Sequence, residues 1–188
     1  MSLKILSGKY KNRPILTSPR TELRPTKGVL RQAVFNICQN EIESCHFLDC
    51  FAGSGAMGFE ALSQGASFVT FIEKDKDSCK AIYKTSQNLH VQNQISIISL
   101  EVFEALKRIK GTYSIVYIDP PYSIEENMVS LIMEALSKDE LLSRDALIFL
   151  EMPFGKKRMN EPYKFSHFNS INTRKSGRSL LHEFRFQK

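Results

Sequence analysis

The stretch Leu48–Leu62, LDCFAGSGAMGFEAL, leaves an apolar run, turns through three glycines and enters a helix-like pattern. The spacing Gly53-x-Gly55-x-x-Gly58 is that of a nucleotide-binding turn, where missing side chains let the backbone approach a ligand at a helix N-terminus. Alone this spacing is a weak signal. It gains weight from the next apolar run, SFVTFI (67–72), which ends on Glu73 and Lys74. Glu73 stands twenty residues beyond Gly53, where a carboxylate can accept hydrogen bonds from both hydroxyls of a ribose.

Outward from this unit the chain alternates. Strand-like runs are HFLDCF (46–51), SFVTFI (67–72), ISIISL (95–100), YSIVYI (113–118) and ALIFLE (146–151), with helical stretches expected near 56–64, 75–89, 101–109 and 125–137. The runs are nearly continuous in apolar residues, as when helices cover both faces of a sheet. Such alternation with right-handed crossovers gives a doubly wound α/β fold on a mostly parallel sheet. A ligand then binds at the carboxyl ends of the strands. Upstream, 3–7 and 13–17 are expected as two short strands joined through SGKYKN, followed by the irregular SPRTELRP. A helix is expected from Thr26, its N-cap, with Val29, Leu30, Ala33, Val34 and Ile37 on one face. Downstream, KFSHFNSI and SLLHEFRF flank Lys175-Ser176-Gly177 as a final antiparallel pair.

The formal net charge of +6 is unevenly spread along the 188 residues. Residues 1–35 carry a net +7, residues 156–188 another +7, and the middle a net −8. Two basic arms around an acidic middle point to a polyanion held by the arms. Lys9, Lys11, Arg13, Arg20, Arg24, Thr26, Lys27, Arg31 and Arg178 are the candidate nucleic-acid contacts. Cys38, Cys45, Cys50 and Cys79 form no C-x-x-C pair and have no histidine at zinc spacing, so they read as thiols of a reducing cytoplasm, and no metal is expected. No apolar run approaches a membrane span, and MSLKIL is too short for a signal peptide, so a cytoplasmic protein is expected.

Two strand ends bear on which nucleotide is bound. Asp49 lies four residues before Gly53 and is expected to point its charge at the glycine turn. A pyrophosphate there would meet a carboxylate within about 5 Å, a repulsive contact, whereas the ammonium and sulfonium of S-adenosylmethionine would be attracted. This favours S-adenosylmethionine over a nicotinamide dinucleotide, with Phe51 covering one side and Glu101 either reaching an adenine amine or serving a helix start. The second strand end is SIVYIDPPYS, Ser114–Ser123. Asp119 and the carbonyl of Pro120 are acceptors, Pro120 and Pro121 bring no N–H donor, and Tyr122 offers a flat ring. The set suits a planar heterocycle bearing an exocyclic amine, gripped by its hydrogens and stacked on the tyrosine.

DPPY resembles motif IV of amino-group methyltransferases, and LDCFAGSGAMGFEAL resembles their motif I. KILSGKYKNRPI (4–15), LRPTKGVLRQAVFN (23–36) and KSGRSLLHEFRF (175–186) are similar to the bacterial family that methylates guanine N2 in small-subunit ribosomal RNA, the RsmD family. The resemblance spans nearly the whole chain. It implies a Rossmann-like class I methyltransferase fold: a seven-stranded, mostly parallel sheet with an antiparallel C-terminal hairpin, plus an N-terminal β-hairpin extension. Residues 1–25 would be the extension and 26–188 the methyltransferase domain. It also implies S-adenosylmethionine as donor, S-adenosylhomocysteine as product, and a 16S rRNA guanine in the 30S subunit or an assembly intermediate as acceptor, with a monomeric enzyme. By motif, Asp49, Gly53 and Gly55 would line the methionine end, Glu73 the ribose, and Asp119–Tyr122 the target base. Arg24, Pro25 and Thr26 match the family's RPT near the active site, and Arg31 and Asn36 its downstream R…FN. Gly28 stands where the family usually has an acid, and Glu101 where Asp or Asn is commoner. Adenine-N6 methylation of RNA or DNA, a non-catalytic RNA-binding assembly factor, and a nicotinamide-dependent oxidoreductase are the competing readings.

Overall fold

The architecture is given by a computed structural model, which describes residues 3–18, 26–138, 140–154 and 163–187. The apolar runs become strands β1 (His46–Cys50), β2 (Phe68–Ile72), β3 (Ile95–Ile98), β4 (Tyr113–Ile118) and β5 (Leu142–Pro153). Helices α1 (Thr26–Ile37), α2 (Ala56–Ser63), α3 (Lys76–Leu89), α4 (Val102–Leu106) and α5 (Glu126–Leu136) precede or separate them, and β6 (Phe168–Ser176) and β7 (Ser179–Phe186) close the chain. The strands form one seven-stranded sheet in the order β3-β2-β1-β4-β5-β7-β6. β7 runs antiparallel to both β5 and β6, and the other pairings are parallel. In its sheet this is the fold the resemblance implies, with an antiparallel C-terminal pair on a mostly parallel sheet.

Alternate residues of each strand feed opposite layers, as the two-residue period requires. Phe47, Phe71, Ile115 and Phe149 pack with Phe35, Phe59 and Ile82 on one side. Leu48, Ile72, Val116 and Ile148 pack with Ile132, Leu136 and Phe184 on the other. Gly58 fixes how closely α2 lies on the sheet: a Cβ there would stand 2.2 Å from Phe71 Cε1.

Several expectations at the chain's edges are corrected. Residues 3–7 and 13–17 do not form a strand pair. They make one isolated bridge, Lys4–Pro14, with backbone bonds from Ile5 N to Arg13 O (3.1 Å), Asn12 N to Ile5 O (2.9 Å) and Ile15 N to Leu3 O (2.9 Å). On the turn side the ladder stops because Asn12, at φ 67°, takes Ile5 O while Arg13 N turns back to Tyr10 O. Ile5 and Ile15 nevertheless join the buried cluster that contains Phe35 and Phe59. The final antiparallel pair begins at Phe168 rather than at Lys164, α4 is shorter than the 101–109 expected, and β5 is longer than 146–151. On α1, Leu30 and Val34 face the core while Val29 is exposed.

The thiols of Cys38, Cys45 and Cys50 are buried and free, and Cys79 is half-buried. Burial pushes Cys38 and Cys45 up to about 12 and Cys50 well above its ordinary value. In the unfolded chain these thiols ionise near 9.0, so between about pH 9 and pH 12 the unfolded state binds fewer protons and stability falls as pH rises. Denaturant midpoints measured from pH 8 upward are expected to drop through this window. The native protein at pH 8 is expected to label slowly at Cys79 while Cys38, Cys45 and Cys50 stay silent until it unfolds. Among the described residues, no helix is long and apolar enough to cross a membrane.

Candidate active site

The carboxyl ends of β1, β2 and β4 and the amino end of α4 converge on a cavity of about 670 Å³. Phe51 enters it where β1 ends, with the backbone at φ 62°, a conformation that costs a bulky residue energy and recurs at functional sites. Ile72, Leu100, Val102 and Phe103 supply an apolar wall, and Ile124, Met128 and Ile132 a second one. The charged lining is mostly negative: Glu73, Glu101, Glu104 and Asp119 against Lys74.

Glu73 ties the two loops beneath the cavity. Its Oε2 accepts from Gly53 N at 2.7 Å and its Oε1 from Asp75 N at 2.8 Å. The glycine turn therefore gives its Gly53 amide to a carboxylate rather than offering it to a phosphate. Gly53 takes φ +55°, and a Cβ there would meet nothing closer than Phe51 O at 4.0 Å, so the space above it is open. Gly55 differs. It begins α2 at φ +73°, and a Cβ would press on Phe59, Phe71 and Ile82, so it serves packing rather than the cavity wall.

Asp49 is placed differently from the sequence expectation. It is 2% exposed, does not line the cavity, and accepts from Gly58 N at 3.0 Å, so it anchors the first turn of α2 behind the glycines. A buried acid at a helix N-terminus is well placed electrostatically, and the turn's spacing alone could not separate this role from ligand contact. Lys74 and Glu101 both line the cavity and pair with each other at 3.0 Å across its mouth. Glu101 occupies the N-cap position of α4 but makes no side-chain cap bond.

Asp119, Pro120, Pro121 and Tyr122 form the remaining edge, with Tyr122 exposed. Asp119 N still reaches Cys50 O at 3.4 Å, so the corner stays fastened to β1. Behind it lies a buried cluster that the sequence reading missed. The Tyr117 hydroxyl donates to Glu151 Oε2, and Ser179 Oγ donates to Glu151 Oε1 at 2.7 Å. Burial, with the Asp119 and Glu151 carboxylates nearby, pushes the Tyr117 phenol well up and keeps it a neutral donor. The signal lies in EMPF, whose acid Glu151 follows Leu150 as Asp119 follows its strand partner Ile118.

The candidate cations separate into groups. Arg31 is withdrawn as a nucleic-acid contact. It is 4% exposed, its Nη2 donates to Lys4 O at 2.8 Å, and its Nε lies 3.5 Å from Glu60 Oε2. Lys9, Lys11 and Arg13 are exposed, but the turn that carries them docks at the carboxyl ends of α2 and α3: Lys9 N donates to Ser63 O (2.7 Å) and Arg13 Nη2 to Asn88 O (2.8 Å). That is the end away from the cavity, about 12 Å down the eight residues of α2. The chain then climbs α3, with Leu16 N on Thr85 Oγ1 (3.0 Å) and Ser78 Oγ on Ser18 Oγ (3.3 Å), and so returns toward the cavity side. Arg20 and Arg24 lie outside the described residues, and Thr26 and Lys27 open α1. Arg178 is exposed on the β6–β7 turn, at the cavity's end of the sheet because Pro153 pairs with Ser179. Among the described residues, no group of histidine, cysteine or acidic side chains could hold a metal ion.

Comparison with known proteins follows the same lines. Residues 3–185 match the family described as conserved hypothetical protein 95. A ribosomal RNA small subunit methyltransferase D from Buchnera aphidicola subsp. Baizongia pistaciae is 36% identical over 151 residues, 80% of this chain and 76% of that protein. A putative methyltransferase, yhhF, from Escherichia coli superposes with a TM-score of 0.87 at 26% identity, covering 100% of this chain and 99% of that one. SMU.776, a putative methyltransferase complexed with SAH, shares the fold at a TM-score of 0.62 and 17% identity, over 82% of this chain and 49% of that one. With a family match across almost its whole length and a relative above one-third identity, the chain belongs to the conserved hypothetical protein 95 family, that of the small-subunit ribosomal RNA methyltransferases D.

Proposed function

We propose that this protein transfers a methyl group from S-adenosylmethionine to the exocyclic N2 amine of a guanine in small-subunit ribosomal RNA. The observation that carries the reading is the Asp119–Tyr122 corner on the edge of an acidic, otherwise apolar cavity, in a chain of this family. The cavity's residues fit the donor. Four carboxylates against one lysine suit a cationic ligand and oppose a pyrophosphate, while Ile72, Leu100, Val102 and Phe103 suit an adenine. Glu73 keeps lone pairs for a ribose beyond those taken by Gly53 N and Asp75 N. When bound, S-adenosylmethionine supplies an electrophilic methyl group on a positively charged sulfur.

The chain's own work is positioning and electrostatics. An exocyclic amine conjugated to a purine is a poor nucleophile. Asp119 and the Pro120 carbonyl accept its two hydrogens, favour a pyramidal nitrogen and stabilise the positive charge that develops there. The two prolines offer no competing donor. Tyr122, 45% exposed, stacks on a base drawn out of its helix. The exposed Lys9, Lys11, Arg13 and Arg178 bind phosphates, so affinity falls with added salt.

Two measurements test the reading. Calorimetry with S-adenosylhomocysteine should show binding; a chain that binds none would instead be a non-catalytic assembly factor. Incubation with labelled S-adenosylmethionine should transfer label to 30S particles from cells lacking this enzyme, and a lack of transfer to those particles and to naked 16S rRNA would refute the activity. Glu73→Gln puts an amide NH₂ against one of two backbone N–H donors and removes a charge-assisted acceptor. It is expected to weaken S-adenosylhomocysteine about tenfold or more, read by the same calorimetry.

A further inference from the structure

We propose that Phe154 is a stacking platform for a nucleobase of the acceptor RNA that flanks the one in the cavity, with Lys175 and Arg178 beside it on the neighbouring phosphates. The inference rests on the reading of the protein as an RNA methyltransferase. Adjacent parallel strands β4 and β5 pair Ile118 with Leu150. Tyr122 follows Ile118 by four residues and Phe154 follows Leu150 by four, so two aromatic rings emerge at the same end of neighbouring strands. Each is 45% exposed. Tyr122 lines the cavity and Phe154 does not, which places the second ring outside the mouth rather than in the pocket.

Phe154 is held rather than loose. Its N–H donates to Arg178 O at 2.8 Å, fastening it to the β6–β7 turn, and Lys175 Nζ sits 3.6 Å from its ring centroid. The Lys175 ammonium takes one face of the ring and fixes its orientation, and the ring is still 45% exposed, which leaves area for a base. Scattered exposed apolar residues need no explanation, but this one carries Lys175 on its ring and is fastened to the backbone of Arg178 at the cavity's end of the sheet. Nearby Glu151 is buried and engaged by Tyr117 and Ser179, so its carboxylate does not face an approaching phosphate. A partly exposed aromatic ring with a lysine over one face, next to an amine-gripping corner, matches single-stranded RNA better than an apolar protein partner.

The test uses the full-length protein and a short fluorescein-labelled oligoriboadenylate at low salt, read by anisotropy. Phe154→Leu keeps apolar bulk and loses the stack, and is expected to raise Kd about tenfold, while Phe154→Trp holds the wild-type value. The slope of log Kd against log salt should be unchanged in Phe154→Leu and reduced in Lys175→Gln, since only the latter loses a phosphate contact. Wild-type affinity in Phe154→Leu, or a reduced salt slope in that variant, overturns the platform and leaves the methyltransferase reading standing. A wild-type protein that binds S-adenosylhomocysteine but not this oligonucleotide at low salt also overturns the platform, while the methyltransferase reading is decided separately by label transfer to 30S particles and 16S rRNA.

Discussion

Asp119→Ala is expected to leave S-adenosylhomocysteine affinity within about twofold of wild type and to lower methyl transfer by about 10²–10³-fold, the cost of removing one preorganised group aimed at developing charge. The asymmetry follows from where the residue sits. Asp119 borders the cavity at the end of β4, across from the Glu73 loop. The glycine turn is braced separately by Glu73 on Gly53 N and by Asp49 on Gly58 N. Truncating Asp119 thus removes an acceptor for the amine without loosening the donor's seat. Single-turnover assays with 30S particles, beside calorimetry on the same preparations, separate the two effects. Near-normal turnover in the variant would show that the amine is not gripped there. Tyr122→Ala is expected to cost less, because stacking orients the base without touching the reacting nitrogen.

Arg31→Ala carries the largest expected loss of stability, about 3 kcal/mol, because it strands a buried carboxylate. Glu60 is 1% exposed and accepts from Leu6 N, Ser7 N and Ser7 Oγ, each at 2.8 Å, while Arg31 compensates its charge and also holds Lys4 O. Burial lowers the Arg31 pKa, with Glu60 opposing that shift, the pattern of a guanidinium whose partner offsets its desolvation. The pair clasps the first residues to α1 and α2. Urea unfolding of Arg31→Ala should therefore show a lower midpoint, and protease should cut within residues 3–18 before the core opens. Arg31→Ala combined with Glu60→Gln should recover part of the loss, since no buried charge is then left alone. If Arg31→Ala weakened RNA binding at full stability, the clasp would be the wrong account.

These two residues show what a sequence discloses and what it withholds. The strand–helix alternation and the strand-end positions of Glu73 and the DPPY corner were legible because continuous apolar runs, the glycine spacing and strand-end chemistry are local patterns, whereas the count of seven strands came from the family resemblance. Burial of a charge is not local. Arg31 read as one more cation in a basic arm, and only tertiary structure brings it to Glu60. Asp49 read as a ligand acid for the same reason, since four residues of spacing fit both a pocket wall and the helix anchor at Gly58 N. The N-terminal strand pair failed at its turn, where Asn12 N takes Ile5 O and Arg13 N bends back to Tyr10 O, leaving one bridge where alternation suggested a ladder. Phe154 escaped notice because β5 runs past Glu151 to Pro153, and the expected strand stopped short of the residue that matters at its end.

The claim on which the rest depends is that the Asp119–Tyr122 corner holds a guanine amine against the donor's methyl group. The direct measurement is nucleoside mass spectrometry of small-subunit rRNA after reaction of 30S particles from cells lacking this enzyme. The account predicts one new N2-methylguanosine that is absent with Asp119→Ala. N6-methyladenosine in its place would contradict the choice of base, and an equal yield from the Asp119 variant would contradict the corner itself.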